Sequence, residues 1–580
     1  FTCQEIADEI QKDLDFLHTS SPDVPERHRS LRAAFDHSWR LLSEESRRTI
    51  GKLAVFRNGF SLPAAEIVAN ATPNMLASYV DKSILIRQST GRFLIPETLR
   101  VYVLERVKSE PEEFENLLDA YSDYFSQYTI NMMAKFASQQ GGEAIKEIML
   151  EAENIRSALN RTMDRCRWDI IAKTIDPLMS YFEIQGRFRE GLDIARSIMV
   201  RMNELVGIQQ PRIYHNLLGW DGWFSFQLGF TQEGLEKMHA RLDFAKRQGD
   251  ILTSTYLLMR LADAHNRLGE FNTALEEIEQ CLETAKHVWT PDVPFLIGVR
   301  GYAYSIYGLT LIRLHRNEDA RQALNQSNAD LVASGGRYGL IRLLDVKARL
   351  AKVEGKYEES KILRLQALEI ATEFNDRRSM AAIMNNLGES FEHLGDLQTA
   401  LSYTYRTQQL SDEIGDRQLL AVSNNNLGYL TLRLNHPASE AIPYYEKSLA
   451  MFRLLGDTYG IFFTLRDIAR AWLLAECVNP ARAYLTEALR LGSNLNNPLL
   501  VLHLLTVAAR LEVHRGHSDR AIQLCTMVLR HPQSEVPAQQ EAMFLLAELQ
   551  ERTPTEDSGT PGENPPTLPT FTALLTDIDG

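Results

Sequence analysis

Apolar residues recur at spacings of three and four along most of the chain, the pattern of helices that bury one face. Over residues 384–416 the sequence reads MNNLGESFEHLGDLQTALSYTYRTQQLSDEIGD, and forty residues later it reads NNNLGYLTLRLNHPASEAIPYYEKSLAMFRLLGD. Leu387 aligns with Leu427, and Gly388 with Gly428, a small residue that allows two helices to approach closely. A fixed period of about 40 residues predicts stacked helical hairpins that form an α-solenoid.

Residues that break helices recur with the same period. Most steps between them are 40 or 41 residues, with steps of 43 and 46 in the earlier part. The turns within hairpins are predicted at Gly186, Gly229, Gly269, His315, Gly355, Gly395, Asn435, Glu476 and Gly516. The turns between hairpins are predicted at Gly249, Gly335, Asp376, Gly415, Gly456 and Asn497. These positions place the repeats within residues 171–551.

The recurring pattern LGxxY…LGDxxxAL resembles tetratricopeptide repeats, in the long-helix form found in bacterial regulators. The resemblance implies that the first helix of each hairpin lines a concave groove. It also implies which positions face inward, namely two residues before the Leu of the LG pair, two after it and five after it. With the 40-residue register, the candidate groove residues are Asp345, Arg349, Lys352, Asn385, Glu389, Glu392, Asn425, Tyr429, Leu432, Arg466 and Arg470.

These side chains have the chemistry of a binding groove. An Asn amide both donates to and accepts from a peptide backbone, and Arg binds a carboxylate or a phosphate in bidentate fashion. The expected ligand is a protein, a peptide or a small molecule. The alternative is that the same residues are solvated or make contacts between repeats. A second cluster, Trp220, Trp223, Phe224 and Phe226, is interpreted as core between hairpins, with a ligand pocket as the alternative.

Residues 29–108 have a different pattern, with short helices followed by a two-stranded ribbon. Predicted helices cover 31–42, 43–55, 62–69 and the stretch after Thr72-Pro73; ILIRQ and RFLIP are predicted strands, and ETLRVYVLERV is a closing helix. This order is typical of a winged helix. Residues 109–170 are predicted to be a helical connector to the repeats.

The segments LRAAFDHSWRLLSEESRRTIGKLAVFRNGFSLPAAEIV, LASYVDKSILIR and GRFLIPETLRVYVLERV resemble the winged-helix domain of bacterial STAND ATPases of the AfsR/MalT-like branch. EAENIRSAL at 151–159 resembles the segment that joins this domain to the repeats. The resemblance implies a mainly α protein, a winged helix followed by a tetratricopeptide-like superhelix, that senses a ligand and relays its binding to an ATPase domain.

The motif GxxxxGK(S/T) does not occur in the sequence, so this chain is expected to be neither an enzyme nor a nucleotide binder. ATP or ADP is expected in an ATPase domain of the full-length protein. The chain starts at Phe1, and residues 1–28 are interpreted as a helix and linker left from a preceding domain. Residues 552–580 are rich in Pro, Gly and Thr and are predicted to be a disordered tail.

Charge is distributed unevenly along the chain. Residues 29–108 contain 13 Lys and Arg against 7 Asp and Glu, a balance of +6, whereas the whole chain carries −14. The helix that would enter a DNA groove, PNMLASYVDK, lacks the Arg, Asn and Gln that read bases, so a domain interface is favoured over DNA binding. Five dispersed cysteines without a CxxC motif predict neither a zinc site nor disulfides and favour the cytoplasm.

No apolar run is long enough to cross a membrane, so no membrane partner is expected. No catalytic or metal-binding motif stands out, and His265 is interpreted as structural. The function predicted from these patterns is the sensor region of a STAND-type regulator. The alternatives are a stand-alone scaffold for protein interactions and a DNA-binding transcriptional regulator.

Overall fold

The computed structural model describes residues 30–136, 140–206, 211–286, 294–494, 500–532, 534, 536–552 and 568–579. These residues form 27 helices and two short strands. The elements before the repeats are α1 (Leu31–Arg40), α2 (Glu44–Leu53), α3 (Leu62–Ala69), α4 (Pro73–Asp81), β1 (Ile86–Arg87), β2 (Phe93–Leu94), α5 (Glu97–Val107), α6 (Pro111–Phe136) and α7 (Gly141–Asp164). The predicted helix within residues 1–28 lies outside the described residues.

The repeats form nine helical hairpins among the described residues, each with a first and a second helix. The first four are α8 (Trp168–Ile184) with α9 (Phe188–Val206), α10 (Pro211–Gln227) with α11 (Thr231–Arg247), α12 (Ile251–Leu268) with α13 (Phe271–Ala285), and α14 (Pro294–Arg313) with α15 (Asn317–Ser334). The next three are α16 (Tyr338–Val353) with α17 (Tyr357–Glu373), α18 (Arg377–His393) with α19 (Leu397–Ile414), and α20 (Arg417–Arg433) with α21 (Ala438–Leu455). The last two are α22 (Thr458–Leu474) with α23 (Val478–Asn494) and α24 (Val501–His514) with α25 (Ser518–Arg530), followed by α26 (Val536–Arg552) and α27 (Phe571–Asp579).

The chain divides into two compact units. One, here called the N-terminal unit, contains the described residues up to Glu183 together with Glu190–Trp220 and Ser334–Tyr338. The other, here called the solenoid unit, contains Ile184–Arg189, Asp221–Ala333 and the described residues from Gly339 onward.

The start of the N-terminal unit has the order of elements that the sequence predicts. Ser43 and Thr72 cap α2 and α4, because each hydroxyl accepts a hydrogen bond from a backbone N–H three residues later, at 3.2 and 3.3 Å. The ribbon is antiparallel, with Ile86 opposite Leu94, but each strand has only two residues, shorter than the predicted ILIRQ and RFLIP. The winged-helix assignment itself stays a prediction.

Every residue predicted as a turn within a hairpin has a positive φ, between 59° and 89°. Glycine adopts this conformation without strain, whereas His315, Asn435 and Glu476 adopt it as larger residues. Among the described turns between hairpins, one differs from the prediction: the left-handed residue is Asn375, at φ 50°, and Asp376 instead caps the next helix by accepting from Ser379 N at 2.9 Å. The turn predicted at Asn497 lies outside the described residues. The period of helix-breaking residues therefore locates the hairpins.

Close helix packing within a hairpin depends on the small residue of the LG pair. A Cβ at Gly388 would lie 2.9 Å from the Thr404 hydroxyl and 3.2 Å from the Ala400 carbonyl, both on α19. At Gly428 it would lie 2.8 Å from the ring of Tyr445. Any larger residue would push the two helices apart, which confirms the interpretation of these glycines.

The solenoid unit curls so that distant hairpins meet. The Asn375 side chain donates to Gln185 Oε1 at 2.8 Å, across 190 residues. A Cβ at Gly186 would contact Ile414, and one at Gly269 would contact Tyr459. Contacts repeated at separations of about 190 to 230 residues indicate a superhelix that returns on itself after about five hairpins.

The predicted tail is partly ordered. Residues Phe571–Asp579 form α27, with Leu574 and Ile578 buried in the core of the last hairpins. The ring of Phe571 lies against Gly492 of α23. The expectation of disorder over 552–580 is therefore wrong for 571–579. Two apolar side chains at helical spacing pack against the last hairpins, and composition alone does not predict that contact.

Two further findings concern apolar residues. Trp220, Trp223, Phe224 and Phe226 are all buried, as the core interpretation of this cluster predicts. Among the described residues, no helix is both long enough and apolar enough to cross a membrane.

Candidate functional site

The ten polar candidates of the predicted groove are all half-buried, neither core residues nor fully exposed. They lie on the first helices α16, α18, α20 and α22 of the solenoid unit. Residues about 40 positions apart touch: Asn386 Nδ2 donates to Asp345 Oδ1 at 3.0 Å, and Asn426 Nδ2 donates to Asn385 Oδ1 at 2.9 Å. We call the surface made by these helices and residues the first-helix face.

Some donors of the predicted groove residues are already engaged in hydrogen bonds within the protein. Asn425 donates to Asp467 Oδ2 at 3.1 Å, and Arg466 donates to Asp467 Oδ1 through two nitrogens, at 2.9 and 2.7 Å. Asp467 is buried and was not predicted from the sequence. Contacts between repeats, the alternative interpretation, therefore hold for Asn425, whereas Arg466 bonds to its neighbour on its own helix. The Asn425 Oδ1 atom is buried and accepts no hydrogen bond.

A second group centres on Tyr429. Its hydroxyl donates to Glu392 Oε1 at 3.1 Å, and Arg433 Nη1 donates both to that oxygen and to the hydroxyl, at 2.6 Å each. The Arg470 guanidinium lies 5.6 Å from the centre of the Tyr429 ring. Burial and the Glu392 carboxylate raise the pKa of Tyr429, so the phenol is neutral. Arg433 was missed; its place one turn after Tyr429 is the signal that predicts this contact.

A third group contains four cations and two carboxylates, and we call it the arginine cluster: Arg313, Arg349, Lys352 and Arg364 with Asp345 and Glu389. Lys352 forms an ion pair with Glu389. Although burial opposes its ionisation, Lys352 and the nearby arginines lower the pKa of Glu389 to about 2. Arg313 and Arg364 were not predicted. Arg364 lies on a second helix, which the register rule does not consider, and Arg313 lies at a helix end in a degenerate repeat.

Another charged cluster lies next to a cavity within the solenoid unit. Arg267 and Arg342 pair with Asp263, and Arg378 Nε lies 3.2 Å from Asp416 Oδ2. Burial opposes the charge of Asp263, but Arg267 and Arg342 hold its pKa well below the usual range. The cavity, of about 340 Å³, is lined among others by Phe226, Gln227, Arg267, Arg378, Asp416 and Leu455.

One set of side chains has the composition of a metal site. Ligand atoms of His239, His265 and Glu277 lie within 4.8 Å of one another, on three successive helices. His265 Nδ1 is 2.7 Å from Glu277 Oε2, and its Nε2 is 3.6 Å from Glu270. Burial favours neutral His265, yet the two carboxylates produce a net rise of its pKa. The pairing supports the structural role expected of His265, and the prediction that the chain holds no metal stays a prediction.

In the N-terminal unit the buried charges are compensated. Arg92 and Glu151 form an ion pair with side chains 7% and 3% exposed. Asn154 Nδ2 donates to Glu151 Oε2 at 2.6 Å and to the Gly59 carbonyl at 3.0 Å, and its Oδ1 accepts from Arg57 N at 2.6 Å. Glu151 and Asn154 come from the EAENIRSAL segment, and their contacts hold α7 against the loop before α3 and against the ribbon. The predicted role of this segment in joining the domain to the repeats stays a prediction.

Two of the basic residues that give 29–108 its positive balance are engaged in contacts within the N-terminal unit. Arg47 donates to the carbonyls of Trp39 and Arg40, at 3.0 Å each, and Arg48 pairs with Glu44 at 2.7 Å. The Arg47 contacts hold α2 against the end of α1, whereas the exposed Arg48–Glu44 pair lies within α2. Neither contact tests whether the unit meets another domain or DNA.

In a comparison with protein families, residues 379–454 match the tetratricopeptide repeat. Among curated proteins, 205 residues are 25% identical to a protein described as an HTH-type transcriptional regulator of Mycobacterium tuberculosis, covering 34% of this chain and 23% of the relative. The match thus spans about a quarter of the relative's length.

Two solved structures are similar to parts of the chain. One is a Signal Transduction ATPase with Numerous Domains with a tetratricopeptide repeat sensor, from Pyrococcus horikoshii, with 14% identity over 92% of this chain and 68% of that chain and a TM-score of 0.39. Another is a Rap protein complexed with Competence and Sporulation Factor, with 12% identity over 65% of this chain and 97% of that chain and a TM-score of 0.42.

Proposed function

We propose that this chain is the sensor region of a signal-transducing regulator. The solenoid unit binds a protein, peptide or small molecule on the first-helix face, and the N-terminal unit relays that binding to an ATPase domain of the same protein, in the cytoplasm. The observation that carries the proposal is the row of ten half-buried polar side chains on first helices of a tetratricopeptide-like solenoid. The similarity to a protein described as a transcriptional regulator supports a regulatory role.

The relay requires a difference in ligand affinity between two states. A ligand shifts an equilibrium only by its preference for one arrangement over the other. In this proposal ATP or ADP binds to the ATPase domain, and this chain, which has no GxxxxGK(S/T), supplies no turnover. Incubation of the purified chain with ATP is expected to release no phosphate above buffer. Turnover that follows the chain through purification would contradict this part of the proposal.

Ligand binding is tested with a thermal-shift screen of the purified chain against a random heptapeptide library and a set of common metabolites. A ligand at 100 times its Kd adds about 2.7 kcal/mol of stability, which raises Tm by several degrees. The expected result is a shift that the double variant Asn385→Ala, Asn425→Ala loses. The matched control is Gln398→Ala, an exposed residue of a second helix, which keeps the shift.

Two outcomes oppose the proposal. Ligands that stabilise the double variant as much as the natural chain would place binding elsewhere. Binding that leaves the nucleotide turnover of the full-length protein unchanged would favour a stand-alone interaction scaffold, because a scaffold needs no coupling to an ATPase.

A further inference from the structure

The arginine cluster is positively charged inside a protein that carries −14 overall. Its four cations face two carboxylates, which leaves two positive charges. Both carboxylates are already engaged, Glu389 with Lys352 and Asp345 with the Asn386 amide. Excess positive charge of this kind opposes the folded state unless an anion compensates it.

Arg364 has donors that no group of the protein satisfies. Its side chain is fully buried, and only Nη1 is used, donating to the Asn386 carbonyl and to Ser390 Oγ at 2.6 Å each. Nε and Nη2 are buried without a hydrogen-bond partner, and the nearest carboxylate oxygens, of Asp345 and Glu389, are 3.7 and 3.9 Å away. These distances exceed a hydrogen bond, so two guanidinium donors remain for another group.

Arg313 and Arg349 add to the unbalanced charge. Among the described residues neither forms an ion pair, and Arg349 Nε is buried without a partner. The surrounding helices, which partly desolvate the guanidinium, and the neighbouring Arg349 lower the pKa of Arg313 to about 10. Arg313 is nevertheless exposed to solvent, so a solute reaches it directly.

We propose that the arginine cluster binds an oxyanion group with two negative charges, a phosphate monoester or a dicarboxylate, on the ligand of the first-helix face. The proposal rests on the proposed function and adds the chemical class of the ligand. Guanidinium groups bind such oxygens with paired N–H donors, and a doubly charged anion matches the two uncompensated positive charges. Arg349 and Lys352 were groove candidates; Arg313 and Arg364 complete the site.

The test uses inorganic phosphate and succinate as probes, titrated into the purified chain by calorimetry at pH 7.5 and constant ionic strength. Phosphate or succinate is expected to bind and to raise Tm beyond an equal ionic strength of NaCl. The variant Arg313→Gln, Arg349→Gln is expected to weaken binding at least tenfold. Arg453→Gln is the matched control, because Arg453 pairs with Glu487 on second helices and is expected to change affinity less than twofold.

A second readout separates ligand binding from a structural role. Arg313→Gln removes a like-charge neighbour of Arg349, so the unliganded variant is expected to have an unchanged or higher Tm, whereas loss of a structural arginine lowers it. The proposal is overturned if both probes act no better than NaCl, or if the double variant binds them with unchanged affinity. Which probe binds more tightly identifies the phosphate or the carboxylate form of the ligand.

Failure of this proposal is distinguishable from failure of the proposed function. If the screen finds a neutral ligand that needs Asn385 and Asn425, and the anions do not bind, the proposed function stands and the oxyanion site is wrong. If the anions bind and no ligand depends on Asn385 and Asn425, the oxyanion site stands alone and sensing on the first-helix face is wrong.

Discussion

Two buried arginines, Arg92 of the N-terminal unit and Arg364 of the solenoid unit, have opposite surroundings. In the N-terminal unit Arg92 has both terminal nitrogens on the Glu151 carboxylate, which Asn154 also binds. In the solenoid unit Arg364 is equally buried, yet the nearest carboxylate oxygen is 3.7 Å away. Removing one partner of a hydrogen-bonded buried ion pair is costly, whereas a buried charge that makes no hydrogen bond to a carboxylate contributes less to the stability of the fold.

The largest effect is expected from breaking the compensated pair. Glu151→Ala leaves Arg92 charged and buried, so the free energy of unfolding of the N-terminal unit should fall by about 3 to 5 kcal/mol. Urea unfolding measures the loss, and hydrogen exchange of α7 localises it. Glu153→Ala, an exposed residue on the same helix, serves as control and should change stability by less than about 0.5 kcal/mol. If Glu151→Ala lowers the free energy of unfolding by less than about 1 kcal/mol, the Arg92–Glu151 pair does not stabilise the fold and the contrast with Arg364 is wrong.

The comparison is sharpened by making one change in both units. Arg92→Met leaves the buried Glu151 carboxylate without its cation, so the free energy of unfolding should fall by several kcal/mol, about as much as for Glu151→Ala. Arg364→Met should change stability by no more than about 1 kcal/mol, because the loss of the two hydrogen bonds of Nη1 is offset by removal of a buried charge that makes no hydrogen bond to a carboxylate. Ser390 Oγ donates to the Asn386 carbonyl at 3.3 Å, so this carbonyl keeps a hydrogen-bond donor in the variant. Equal losses in urea unfolding would assign Arg364 to the fold and weaken the oxyanion site.

His265 is a paired group whose charge, unlike that of an arginine, changes near neutral pH. Both its nitrogens face carboxylates, of Glu277 and Glu270, and His239 lies nearby. Its folded pKa is raised, so protonated His265 stabilises the fold fully below its unfolded value of 6.5, and this contribution is lost as pH rises through the folded pKa. His265→Gln should therefore cost about 1 kcal/mol at pH 5.5 and less at pH 8.5. A stability difference that is constant with pH would show that His265 stays neutral.

The sequence predicts the repeats well because their signals are local. A left-handed turn residue, a following Asp cap and a small residue in the LG pair each act within a few residues, and all are observed around Gly388 and Gly415-Asp416. The 40-residue register also places the polar candidates on shared first helices.

What the sequence could not predict depends on distance along the chain. Whether Arg349 is paired depends on Arg313, which lies 36 residues away in a degenerate repeat, and on Glu389, which lies 40 residues away. The sequence shows that Arg349 and Glu389 are present and that the 40-residue register places them on neighbouring first helices. It does not show that Lys352 takes Glu389 and leaves Arg349 without an ion pair. The ordered α27 was missed for the same reason, since its partner surface lies on α23.

The smallest expected effect concerns the carboxylate that limits the positive charge of the arginine cluster. Glu389 has a pKa lowered to about 2 in the folded protein against 4.5 unfolded, so its contribution to stability is present above pH 4.5 and is lost as pH falls toward 2. Because its side chain is 39% exposed, solvent screens the Lys352 pair, and Glu389→Gln should cost only about 0.5 kcal/mol at pH 7.

The same substitution gives a second, opposite result if the cluster binds an anion. Glu389→Gln raises the excess charge from two to three, so phosphate should bind several-fold more tightly while the unliganded protein becomes slightly less stable. Calorimetric titration with phosphate and urea unfolding at pH 7 measure the two effects on one preparation. If phosphate affinity and stability fall together, Glu389 holds the arginines of the cluster in place. The contrast between an arginine paired for stability and an arginine available to a ligand would then not hold for the arginine cluster.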